Sequence, residues 1–109
     1  MANVNKISQA APVADTDTTL YTVPALTQFI SSTLALVNRN VTDISSIRIA
    51  VVPNGEALSN KHYIEYDMLV DARGSRRYTI GMTLSAGDKV VVRSDTGDMS
   101  FTLFGVEQS

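Results

Sequence analysis

The sequence predicts an all-β domain, built as an antiparallel β-sandwich. Apolar residues recur with period two rather than 3.6, and no segment keeps a helical stripe. Clusters of Gly, Pro, Asn, Asp and Ser punctuate the chain about every 8–12 residues, the spacing of sandwiches and barrels. Jelly-roll-like and immunoglobulin-like topologies both fit this pattern. The Cys and Trp marks of a true immunoglobulin domain are absent.

Residues 1–17 read as an N-terminal extended arm, because neither period is sustained around the isolated Val4, Ile7 and Val13. The sandwich domain is expected over 18–109. Its first strand is Thr18–Val23, β-branched and aromatic, and stopped by Pro24. A second spans Thr27 to Arg39. Phe29, Ser31, Thr33, Ala35 and Val37 share one face of it, and Ile30, Ser32, Leu34, Leu36 and Asn38 the other, so both sides are expected to be partly covered. Ser45–Val52 alternates Ile47, Ile49 and Val51 against Ser46, Arg48 and Ala50, then closes at the turn Pro53-Asn54-Gly55. After a polar loop, Tyr63–Val70 places Ile64, Tyr66, Met68 and Val70 on one face. Arg76–Leu84, Lys89–Arg93 and the run from Met99 complete the set, with turns at 71–75, 85–88 and 94–98. The expected core is Leu34, Ile47, Ile49, Ile64, Tyr66, Ile80, Val90, Val92, Phe101 and Leu103.

Composition narrows the function classes. The 109 residues suffice for one domain with one core. Only 18% are charged, which leaves a surface easier to bury against other subunits. Net charge is −2 and the longest basic run is Arg76-Arg77, which argues against direct nucleic-acid binding. Without cysteine there is no disulfide, thiolate metal site or Cys nucleophile. No apolar run approaches the roughly 18 residues of a membrane helix, and the first residues lack the apolar stretch of a signal peptide. A soluble chain synthesised in the cytoplasm is expected, with no membrane partner.

The motifs that suggest chemistry have structural readings. Asp95-Thr96-Gly97 matches the aspartic-protease triplet, but that chemistry needs a buried loop and a facing aspartate. Between Arg93-Ser94 and Asp98 it reads as a hairpin turn. His62 is the sole histidine, with no nucleophile elbow, and reads as structural. Asp15, Asp17, Asp95 and Asp98 read as turn aspartates rather than calcium ligands. Asn40-Val41-Thr42 matches a glycosylation sequon, which matters only on a secretory route. Catalytic, cofactor-binding and metal residues are therefore all expected to be absent, and the chain is not read as an enzyme. Arg73, Arg76 and Arg77 bracket one turn and suit an acidic partner. With Val4, Ile7 and Val13 of the arm they form the expected partner interface. Tyr63 and Tyr66 are expected on opposite faces, which disfavours the flat aromatic platform of a sugar-binding module.

Thr19-Leu20-Tyr21-Thr22-Val23-Pro24-Ala25 opens an ordered series of segments. It continues through Ser31-Ser32, Val37-Asn38-Arg39, Ile49-Ala50-Val51-Val52-Pro53, Leu58–Ile64 and Tyr66-Asp67. It ends with Gly81–Asp88 and Ser100–Glu107. The series resembles small β-sandwich virion proteins of tailed bacteriophages, over roughly residues 18–107. Leu26 departs from the pattern, which has Gly after Val-Pro-Ala; the departure bears on the geometry of the first turn and not on the fold. The resemblance implies a virion structural protein, either a surface decoration or an accessory part of head, neck, tail or baseplate. Its partners would be other virion proteins. Independently, the exposed sheet edges of a small sandwich need covering, so a homo-oligomer is expected, a trimer slightly ahead of other states. The alternative from another class is a carbohydrate-binding module for host attachment.

Overall fold

The computed structural model describes residues 2–79 and 81–109. Among them lie nine strands: β1 Asn3–Ala10, β2 Thr18–Thr22, β3 Gln28–Asn38, β4 Ser45–Val52, β5 Tyr63–Val70, β6 Ser75–Tyr78, β7 Thr83–Leu84, β8 Lys89–Ser94 and β9 Met99–Gln108. A short 3-10 turn, Asn60–His62, precedes β5. Two antiparallel sheets pack face to face. The first, sheet one, runs β1-β9-β3-β6 with β7 also on β3, and the second, sheet two, runs β2-β8-β4-β5.

β6 and β7 pair with successive stretches of β3, Leu34–Val37 and Ile30–Phe29, and so act as one interrupted strand. With that pair counted once, the chain pairs first strand with last and then works inward: β1 with β9, β2 with β8, β3 with β6 and β7, β4 with β5. The ladders β3·β9 and β4·β8 then join these ribbons into two sheets. An eight-stranded ribbon wound in this way is a jelly roll. An immunoglobulin sandwich would instead pair its first two strands in one sheet.

The segment expected to be an arm without regular structure contains β1, whose eight residues pair with β9 from Asn3↔Gln108 to Ala10↔Phe101. Its inward positions are Lys6, Ser8 and Ala10, too polar to leave a period-two signal. The backbone ladder holds it instead, and Ser8 Oγ donates to the Leu20 carbonyl of β2 at 2.5 Å, closing one side of the sandwich. On the other side Tyr78 Oη donates to Met68 Sδ at 2.9 Å.

Bulges decide which residues form the core. In β3 the register with β9 shifts between Ser31 and Thr33, so Ser32 is an extra residue. The buried side therefore passes from Phe29 and Ser31 to Leu34, Leu36 and Asn38, which explains why neither sequence face was polar throughout. β5 carries two extra residues against β4: Tyr66 and Asp67 together oppose Arg48, and Ile64 has no opposite number. Asp67 takes a left-handed conformation, φ 54°. As a result Ile64 and Tyr66, both expected in the core, are 44% and 56% exposed. A parity rule fails wherever the ladder carries an uncounted residue. Leu34, Ile47, Ile49, Val90, Val92, Phe101 and Leu103 are buried as expected; Ile80 lies outside the described residues.

At the β3 bulge the Phe29 ring lies against Gly105 of β9 on one side and the Tyr21 ring on the other, the two rings' centroids 4.5 Å apart. A Cβ on Gly105 would fall 2.3 Å from Phe29 Cζ and 2.5 Å from the Ile30 carbonyl oxygen. Gly105→Ala should therefore cost about 1–3 kcal/mol through overpacking, read as a lower denaturant midpoint. Leu26 stands in the opposite situation: its φ is 59° and it is 92% exposed, so its side chain gains no burial to offset the left-handed strain. Leu26→Gly relieves that strain and should raise stability by about 0.5–1 kcal/mol after the entropy Gly adds to the unfolded chain. An unchanged or lower thermal midpoint would contradict this reading of the turn.

Candidate functional site

The two outer faces of the sandwich differ in chemistry. On sheet one the outward cross-strand rows are Asn5–Val106–Ile30–Thr83, Ile7–Phe104–Thr33, Gln9–Thr102–Ala35–Arg77 and Ser100–Val37–Ser75. Arg77 is their sole charge. Ile7 and Phe104 sit directly opposite each other, 59% and 38% exposed. Desolvating such a face removes water from apolar and hydroxyl groups rather than from ions. At its β6 end a cleft of about 340 Å³ is lined by Ala35, Leu36, Val37, Arg73, Ser75, Arg77, Ser100 and Thr102. Among the described residues neither Arg73 nor Arg77 has an ion-pair partner.

Of the interface residues expected from the sequence, Ile7, Arg73 and Arg77 belong to this face. Val4 and Val13 are also exposed, but Val4 has the inward parity of its strand and Val13 lies in the β1–β2 connection. Arg76 is exposed opposite Leu36, and its guanidinium bonds the Ser75 carbonyl. Phe104, Ile30 and Val106 were missed, because their partners across the ladders come from strands distant in the chain.

Sheet two carries charges outward at Arg48, Asp67 and Arg93. Arg48 Nε donates to Asp67 Oδ1 at 2.7 Å, and its guanidinium lies 4.2 Å from the centroid of the Tyr66 ring. Tyr66 in turn meets Tyr63 edge to face, with centroids 4.9 Å apart. The two tyrosines thus share one face, contrary to the expectation from strict alternation. The bulged β5 puts them there. Arg93 reaches Asp17 at 3.5 Å and Asp15 at 4.0 Å, so those aspartates are engaged with a cation. A cleft of about 330 Å³ lies among Asp15, Ser46, Arg48, Asp67, Leu69, Arg93, Ser94 and Asp95. A second, of about 470 Å³, is lined by Asn60, Tyr63 and Tyr66.

The loop from Pro53 to His62 folds over this face, where its Leu58 and Tyr63 of β5 cover Ala50, Val52 and Val91. His62 is the buried pin of the loop. Its Nδ1 accepts from the Ser59 amide at 3.0 Å, which leaves the proton on Nε2 to donate to Glu56 at 3.1 Å. Asp95 of the Asp-Thr-Gly triplet accepts from Ser45 Oγ and the Ser46 amide, tying β8 to β4. Its turn joins β8 of one sheet to β9 of the other, so it is a crossing between sheets and not the expected hairpin. Asn40 of the sequon accepts from the amides of Thr42 and Asp43 and donates to Asp98. No group of three His, Asp or Glu among the described residues is placed to hold a metal ion, and no helix there is long and apolar enough to cross a membrane.

The hydrogen bond from Arg48 holds the Asp67 carboxyl below its ordinary value, and those from Lys61 and His62 do the same for Glu56. A depressed folded value means that the folded chain binds fewer protons than the unfolded one through this range. The stabilisation is present above the unfolded carboxyl values and is lost as the pH falls through the folded ones. Thermal melts should therefore show a falling midpoint below about pH 5, and Asp67→Asn should flatten that slope. An unchanged slope in the variant would mean that the Arg48–Asp67 pair does not hold in solution.

Compared with known proteins, the chain matches no family model and no curated protein.

Proposed function

We propose that this chain is a virion structural protein of a tailed bacteriophage that acts by protein–protein assembly, as a surface decoration or an accessory component of head, neck, tail or baseplate. The observation that carries the reading is the outer face of sheet one, four strands wide, whose strand rows carry one charge, Arg77, with Arg39 and Arg73 at the same end. Such a face is costly to leave in water and cheap to cover with protein. Arg73 and Arg77 at one end, without ion-pair partners among the described residues, favour a counter-surface that brings carboxylates to a contact of mixed apolar and uncharged polar groups. The ordered resemblance over residues 18–107 points the same way, as does the jelly roll, an architecture common in viral capsids.

The N-terminal segment has a defined role in this reading. β1 is held to β9 chiefly by its backbone ladder, and residues 11–17 tether it to β2. An identical ladder is offered by β9 of a neighbouring copy, so the strand suits exchange between subunits in a homo-oligomer, with a trimer favoured. Particles, rather than the free cytoplasmic chain, are the proposed working location.

Phe104→Asp places a charge in the middle of the face at a position already in contact with water. The isolated domain should stay folded with a lowered thermal midpoint, because Phe104 also packs on Ile7 and Thr33, while oligomer formation in light scattering and incorporation into particles, measured well below that midpoint, should each fall about tenfold or more. Normal assembly of this variant would remove the face from the interface. A wild-type chain that stays monomeric at micromolar concentration and fails to bind particles would overturn the assembly reading itself.

A further inference from the structure

We infer that the opposite face carries a saccharide-binding site, built on Tyr63, Tyr66 and Asn60 and extended by Arg48 and Asp67. A pyranose presents an apolar C–H face and a rim of hydroxyls that each donate and accept. It is matched by an exposed aromatic surface beside fixed polar groups of both kinds. Tyr66 supplies the aromatic surface: it is a large ring, 56% exposed, on a strand. Its ring is not loose, because Tyr63 meets it at 81° and Arg48 lies against it. Arg48 is fixed in turn by Asp67. Preorganisation of this sort reduces the ordering cost of binding.

The polar complement lies alongside. Asn60 lines the Tyr63–Tyr66 cleft and brings an amide that both donates and accepts. Asp67 brings acceptors and Arg48 donors at the border with the neighbouring cleft, where Ser46 and Asp95 continue the polar lining. The two clefts, about 470 and 330 Å³, each fall in the size range of small-ligand sites. Because Arg48 and Asp67 neutralise each other, the site has no strong preference for a charged ligand, which favours neutral sugars. A proline-rich peptide also docks on aromatic grooves, but it needs a longer aromatic track than two tyrosines set edge to face. Asn60 belongs to the turn pinned by His62, so the loop that forms the site's wall is held independently of ligand.

The inference does not depend on the assembly reading, because the site and the charge-poor face lie on different sheets. The test is binding of the full-length chain to an array of immobilised neutral hexose and N-acetylhexosamine oligosaccharides, followed by amide chemical-shift titration with the best binder. Tyr66→Ala should weaken binding about tenfold or more with an unchanged thermal midpoint, and Tyr66→Phe, which keeps the ring, should retain most of it. Shifts should cluster at residues 48, 60, 63, 66 and 67. The inference is overturned if no saccharide binds the wild-type chain, if Tyr66→Ala binds as well as wild type, if the shifts map to sheet one, or if a panel of proline-rich peptides binds through Tyr66 where no saccharide does.

Discussion

The sandwich depends on one close approach, that of the Phe29 ring to the backbone of Gly105. Phe29 is fully buried and reaches across the interior to Tyr21 on the opposing sheet. It gains that position because β9 has no side chain in its way and because the bulge at Ser32 lets β3 change its inward parity directly afterwards. Tyr21 is fixed at its other end by a hydrogen bond to Glu107, also on β9. Burial, followed by that bond to a carboxylate, drives the Tyr21 hydroxyl's pKa upward, so it stays protonated and donating at any physiological pH. Phe29, Gly105, Tyr21 and Glu107 thus form a closed circuit that sets the spacing of the two sheets.

A second constraint operates at the far end of β3. Asn38 is fully buried, and its amide donates to the carbonyls of Asp43 and Val70 while its oxygen accepts from the Asn40 amide. A buried amide left without partners would cost stability; here each polar group is used. The result joins the exit of β3 in one sheet to the exit of β5 in the other, and it anchors the 39–44 connection that leads from β3 to β4. Packing is defined at both ends of the longest strand, which leaves the outer faces free to differ.

They differ in a way that suits two tasks. Sheet one offers a broad, charge-poor surface with its arginines at one end, whereas sheet two offers tyrosines braced by an ion pair. In the proposed reading, a particle component would dock through one face and present the other outward, and the separation matters because an interface that buries charges must pair them well. The jelly roll makes the separation possible, since every strand belongs wholly to one sheet and its outward residues face one side.

Alternation and turn chemistry in the sequence determined the all-β class, the positions of most strands and the central core residues Ile47, Ile49, Val90, Val92, Phe101 and Leu103. These are properties of a local period of two and of residues that break it. The ladder partners were beyond local reading. β1 was not legible as a strand, because its inward positions are Lys6, Ser8 and Ala10 and its only sheet neighbour lies at the other end of the chain. Jelly roll against immunoglobulin order was likewise decided by pairings of first strand with last, which no window of sequence contains. Above all, tertiary structure placed Tyr63 and Tyr66 together. Ile64, an extra residue between the two tyrosines, turns a strand that alternates on paper into one whose aromatic rings share a face, and the second bulge at Tyr66 and the left-handed Asp67 returns Met68 to the core side. Side-chain parity is a count along the chain, and a bulge changes the count only where a partner strand fixes it.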